Sequence, residues 1–214
     1  MTFRRLAFLL ILFWSSAAVA SANPVQAKKT AYDYALVGLD GKEVPLSTYK
    51  GKVLLIVNLA SKSIYSQQIS ALNDLQKIYA DKGLVIVGIP SADFGSQESE
   101  DTATIKHFYL ETEHVNFSVF SKASLRGKNP IPLVHFLTDP KDGAGGGDIH
   151  WNFTKFVVNR EGKAVLRFEA DSDPADPDFR VKIEQVLDGT FKKGAEGKSE
   201  PKAGDADEES DDGE

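Results

Sequence analysis

The chain has 214 residues, with 25 basic and 31 acidic side chains for a net charge of −6, no cysteine, and Met1 as its one methionine. This excludes disulfides, thiolate metal sites and cysteine nucleophiles, so stability has to come from an ordinary hydrophobic core. The three lysines and nine acidic residues from Lys193 onward account for the whole −6, leaving a body with 22 basic and 22 acidic residues and no excess to attract nucleic acid.

The first segment reads as an export signal over residues 1–20. Arg4 and Arg5 precede a nine-residue apolar stretch, Leu6–Trp14, and small residues ending Ala18-Val19-Ala20 suit cleavage there, or as late as residue 27. The alternative is a membrane anchor, but the stretch is about half of the ~20 residues a spanning helix needs. The chain is expected to be periplasmic or secreted, without stable membrane insertion after signal removal. Residues 193–214 hold no large apolar side chain and read as a solvated, disordered acidic tail, with weak cation binding or a basic partner as the sharper alternative.

Between these ends, Tyr34–Leu39 and Lys42–Leu46 flank Asp40-Gly41, the signature of a small β-hairpin. Lys52–Ala60 is a continuous apolar run, as in a strand buried on both faces. Ser63 occupies the turn that follows, and Ile64–Lys82 is predicted helical, with Ile69, Leu72, Leu75, Ile78 and Tyr79 at core spacing and Gly83 as its cap. Leu84–Ile89 is a second buried strand that Pro90 stops.

A polar loop, Ser91–Asp101, leads to a helix over Thr102–Glu113 and an alternating strand over Val115–Phe120. Leu133–Leu137 is a short helix and 142–148 a glycine-rich loop. Phe153–Asn159 and Lys163–Phe168 form a second hairpin, and Asp176-Pro177 opens a last helix reaching Leu187. The order β-α-β, helix, β-β-α is the thioredoxin-like arrangement, an α/β fold with a mixed central sheet flanked by helices and an N-terminal hairpin.

Four stretches resemble the glutathione peroxidase family. NLASKS (Asn58–Ser63) is similar to its N-V-A-S-K-C motif, and GIPSADFGSQE (Gly88–Glu98) to G-F-P-C-N-Q-F-G-x-Q-E. FSVFSKASLRGKNPIPLVHFL (Phe117–Leu137) and WNFTKFVVNREGKAVLRF (Trp151–Phe168) match two further family stretches. The resemblance assigns residues 34–190 to a glutathione peroxidase-like domain. In that family a cysteine or selenocysteine attacks the peroxide O–O bond, assisted by a glutamine, a tryptophan and an asparagine. Carried over by motif position, Ser63 stands at the nucleophile and Gln97, Trp151 and Asn152 match the other three. Ile64 stands where the family usually has glycine, and Ser91, Ala92 and Asp93 replace Cys-Asn-Gln.

A serine hydroxyl is far less acidic than a thiol and has no sulfenic state to cycle through. Ser63 can instead cap the following helix on the amide of Tyr65 or Ser66. No G-x-S-x-G elbow surrounds it. The resemblance therefore implies a homologue related to peroxide reduction and oxidative-stress response that lacks thiol peroxidase activity and acts as a ligand-binding or scaffold protein, holding a small polar ligand or peroxide in a vestigial pocket. The alternatives are a peroxidase working by another route, or a partner-binding protein acting through the acidic tail.

No cofactor or metal is expected. His107, Glu111 and His114 fall at i, i+4 and i+7 and would share one helix face, which solvated residues explain as well as a metal does. Asn116 and Asn152 fit glycosylation sequons, with strand residues that happen to match as the preferred reading.

Overall fold

A computed structural model describes residues 29–193 apart from Asp142. Residues 1–20, read above as an export signal, and the acidic residues 194–214 lie outside the described residues. β1 (Ala35–Val37) and β2 (Glu43–Pro45) form the expected antiparallel hairpin. The main sheet contains β3 (Val53–Leu59), β4 (Leu84–Pro90), β5 (Ser118–Val119), β6 (Lys155–Val158) and β7 (Ala164–Phe168), in the order β5-β4-β3-β6-β7. β3 runs parallel to β4 and antiparallel to β6, so the sheet is mixed, as expected.

Every residue of β3 is buried, and the two-residue period of a strand sorts its side chains between two cores. Val53, Leu55, Val57 and Leu59 enter one cluster with Ile69, Leu72 and Leu75 of α1 (Gln68–Tyr79) and Phe179 and Ile183 of α4 (Pro177–Leu187). Leu54 and Ile56 enter the other, with Leu133, Val134 and Leu137 of α3 (Pro132–Thr138). The sheet is thus covered on both faces, which is why β3 carries no polar alternation. Among the described residues no helix is long and apolar enough to cross a membrane.

Three expectations change. The helix predicted over 64–82 starts as a 3-10 turn, Ile64–Gln67, and becomes α-helical only over Gln68–Tyr79. The Gln68 N–H bonds back to Tyr65 O, the short register of a 3-10 turn. Ile78 is half exposed, because the inward stripe runs through Ile69, Leu72, Leu75 and Tyr79 and leaves it on the flank. The helix predicted over 102–113 is α only in α2 (Thr102–Lys106), then widens to a π-helix over His107–Thr112, with Glu113 N–H reaching Phe108 O at 2.9 Å. The wider turn and the positive φ of His114 (47°) separate that residue from the exposed His107–Glu111 pair (2.8 Å), so the three do not form one metal face. The strand over 115–120 shrinks to β5, because its later backbone turns to the hairpin: Phe120 bridges Gly38, and Ser121 N–H donates to Val37 O at 2.7 Å.

Candidate functional site

Three loops meet at the C-terminal ends of β3 and β4, and each is held by specific hydrogen bonds. The first carries Ser63. Ser63 is 3% exposed, and its hydroxyl accepts the Tyr65 N–H at 3.3 Å, the capping role its sequence position allows. Ser63 also donates its backbone N–H to Ala60 O at 3.2 Å, which closes the turn out of β3.

The second loop, 94–98, is joined to the first along both edges. Lys62 N–H donates to Gln97 O at 2.9 Å. Glu98, almost fully buried, takes the Ser61 N–H (3.1 Å) and Ser61 hydroxyl (2.6 Å) from the first loop, its neighbour Ser99 N–H (2.8 Å), and the Tyr109 hydroxyl (2.7 Å) from the π-helix. Burial, and then the Glu98 carboxylate beside it, push the Tyr109 phenol well above its usual range, so it stays a donor. Gly95 makes the turn possible. Its φ is +71°, and a Cβ would sit 3.3 Å from the Trp151 ring.

The third loop, 151–154, leads into β6. Asn152 is fully buried, and its amide donates to Phe94 O at 3.0 Å and to Gln97 Oε1 at 2.9 Å. Asn152 Oδ1 is buried without a partner among the described residues. Phe153 has the left-handed φ of 62°, rare outside glycine, and is held there from both sides. Its N–H donates to Asn58 O at 2.6 Å, and its carbonyl accepts the Lys155 amine at 2.8 Å. Asn58 Nδ2 and Thr154 Oγ1 both donate to Trp151 O, at 3.1 and 3.0 Å, leaving the ring at the rim, 38% exposed.

The site residues read from the sequence thus divide. Asn152 and Gln97 bond directly, Trp151 lies over Gly95 beside Gln97, and Ser63 reaches the group through the Lys62–Gln97 backbone bond. Asn152 is committed to these internal bonds and offers no exposed glycosylation acceptor, whereas Asn116 is exposed. The altered loop residues have structural uses. Ser91 is buried and accepts Asp93 N–H at 3.3 Å, while Asp93 Oδ2 accepts the amides of Leu125 (2.6 Å) and Arg126 (3.0 Å), fastening the loop to 124–126. Asn58, Glu98 and Lys155 support the site; each lies inside a family motif quoted above, but the sequence alone assigns none of them a role. The closest to a signal is Lys155, a cation among Phe153, Phe156 and Val157.

Lys155 is fully buried, and its amine donates to Phe153 O (2.8 Å) and Ser172 O (2.9 Å). Burial pulls it down from 10.5 to about 7, against the partial support of Asp173, Asp171 and Glu169. The two donor protons of a neutral amine match these two carbonyls. Unfolded, the amine keeps its proton to about pH 10.4. Between about pH 7 and that value the unfolded chain therefore binds the extra proton, and stability rises with pH. Below about 7 both states are protonated and the contribution is flat. Urea titrations should show the parent gaining stability relative to Lys155→Met from about pH 7 to 10; a stability difference independent of pH would contradict the neutral amine.

The glutathione peroxidase family model matches residues 31–138. The chain is 37% identical over 151 residues to a glutathione peroxidase of Lactococcus lactis subsp. cremoris, covering 71% of this chain and 96% of that protein. It is 38% identical over 168 residues to the hydroperoxy fatty acid reductase gpx1 of Synechocystis, covering 76% of this chain and 98% of that protein. Among solved structures it is similar to T. cruzi GPX1, with a TM-score of 0.59 and 29% identity, over 76% of this chain and 99% of that one. A thiol:disulfide interchange protein of Chlorobium tepidum, at TM-score 0.56 and 22% identity over 78% of this chain and 99% of that one, shares the fold. The likeness covers both the thioredoxin-like sheet and the loops that hold Gln97, and on it the chain belongs to the glutathione peroxidase family, with serine at position 63 and no cysteine anywhere.

Proposed function

We propose that this chain is a glutathione peroxidase homologue without thiol peroxidase activity, which uses the pocket of Ser63, Gln97, Trp151 and Asn152 to bind a small polar ligand or peroxide. The observation that carries this is the complete absence of sulfur from the site, since no cysteine exists to attack the O–O bond or to resolve a sulfenic acid. Ser63 Oγ is also engaged as a cap on Tyr65 N–H, and no histidine, aspartate or glutamate is among its hydrogen-bond partners in the described residues. A serine nucleophile needs such a base. The unpartnered Asn152 Oδ1 supports a ligand or water with a donor group. The export reading of residues 1–20 puts this function in the periplasm or outside the cell.

The test is an assay of the purified chain from Ser21 with hydrogen peroxide or an alkyl hydroperoxide and glutathione or thioredoxin as reductant. The expected result is consumption at the rate of buffer alone. Turnover that survives chelation and repurification would overturn the reading in favour of a peroxidase working by another route.

A further inference from the structure

On the side of the molecule away from Ser63, the β6–β7 turn, β7 and α3 border a groove of about 310 Å³. Phe136 and Val165 form its floor, and Lys29, Lys141, Lys163 and Lys193 stand around it. Lys29 lies 6.0 Å from the centre of the Tyr34 ring, and Lys193 donates to Gly143 O. No carboxylate among the described residues makes an ion pair with any of the four lysines, and a longer-range attraction on Lys29 comes from Asp33. Four like charges around one apolar floor repel each other, and an anionic occupant would relieve this.

The chain itself supplies one. Lys193 is a wall of the groove, and the 21 residues after it carry nine acids against two lysines. Glu196 follows three residues later, within about 10 Å of extended chain, and Glu200 within about 25 Å. A segment tethered this closely meets the groove at an effective concentration of order millimolar. The charges are complementary, the tether starts inside the groove, and the residues from Gly194 onward are numerous enough to cover it.

We propose that this groove is the docking site of the chain's own acidic C-terminal residues, Glu196–Glu214, whose carboxylates pair with Lys29, Lys141 and Lys163. This reading does not depend on the chemistry at Ser63. Exposed ion pairs are individually weak and screened by salt, so the docked segment is released as ionic strength rises. The acidity of the segment then serves to cover a basic, partly apolar face, and not only to solvate the chain.

Zero-length carbodiimide cross-linking of the chain from Ser21, read by mass spectrometry of the monomer fraction, tests this. At low salt, bonds from Lys29, Lys141 and Lys163 to acids in 196–214 should exceed those from the exposed Lys77 and Lys106 by about fivefold or more, and 0.5 M NaCl should remove the preference. K163E, at an exposed turn position, should also weaken the bonds made by Lys29 and Lys141. Equal cross-linking at all five lysines at low salt would overturn the proposal, as would groove cross-links found only in dimers, which would assign the groove to a second copy.

Discussion

S63C is expected to reduce hydroperoxide, whereas the parent, on the function proposed above, leaves it untouched. The first equivalent of peroxide should be consumed stoichiometrically, with loss of the single titratable thiol, and glutathione should then support turnover. The cysteine would occupy the cap position, where the parent hydroxyl already accepts Tyr65 N–H, so a thiolate there gains the same donor. A thiol brought from a pKa of ~8.5 to ~6 at such a position is ionised about 30-fold more at pH 7. The thiolate attacks the O–O bond, the alkoxide leaves with a proton as alcohol, and the sulfur becomes sulfenic acid. Two glutathione molecules then return the thiol, giving glutathione disulfide and water; the protein has no second cysteine to do so. Adding N152A should remove most of the gain, because the Asn152 amide holds Gln97 Oε1 at 2.9 Å. A folded S63C whose thiol reacts with peroxide no faster than free cysteine would mean that the three loops no longer form a peroxidase pocket.

E98A should be among the most destabilising single changes in the molecule, costing about 3–5 kcal/mol. The carboxylate is 4% exposed and receives four donors, from Ser61 twice, Ser99 and Tyr109. Alanine would leave the fully buried Tyr109 hydroxyl without its acceptor and break the junction with the half-buried Ser61 and Ser99. For a domain of this size the loss corresponds to a fall in Tm of roughly 10 °C. Y109F removes one of the four and should cost only about 1 kcal/mol. Because Glu98 joins the loop of Ser63 to that of Gln97, E98A introduced into S63C should also reduce peroxide consumption more than Y109F does. A loss of stability below 1 kcal/mol for E98A would show that the junction is held by other contacts, such as Lys62 N–H to Gln97 O.

Much of this architecture is legible in the sequence alone. The apolar runs at 53–59 and 84–90, the Asp40-Gly41 turn and the Asp176-Pro177 cap encode their structures locally, through side-chain period and turn chemistry, and these elements appear as expected. Misjudged boundaries lie where tertiary contacts override local preference. The Thr102–Glu113 segment has a good α-helical pattern, yet it widens after Lys106, where Tyr109 is buried with its hydroxyl on Glu98. The Val115–Phe120 alternation is genuine, but its last residues are shared: Phe120 N–H still donates to Gly88 O of β4, while Phe120 bridges Gly38 and Ser121 N–H bonds Val37 O of the hairpin.

The sequence by itself determined the fold class, the family motifs and the one fact that governs the chemistry: oxygen stands at position 63 and no cysteine exists elsewhere. These follow from composition and from patterns a few residues long, which need no knowledge of distant neighbours. Only the tertiary structure decided that Gln97 and Asn152 bond across 55 positions, that Glu98 and Lys155 are buried supports, and that four lysines far apart in the chain surround one groove. Burial and pairing are properties of two or more segments at once, and a single segment read alone carries no record of its partner.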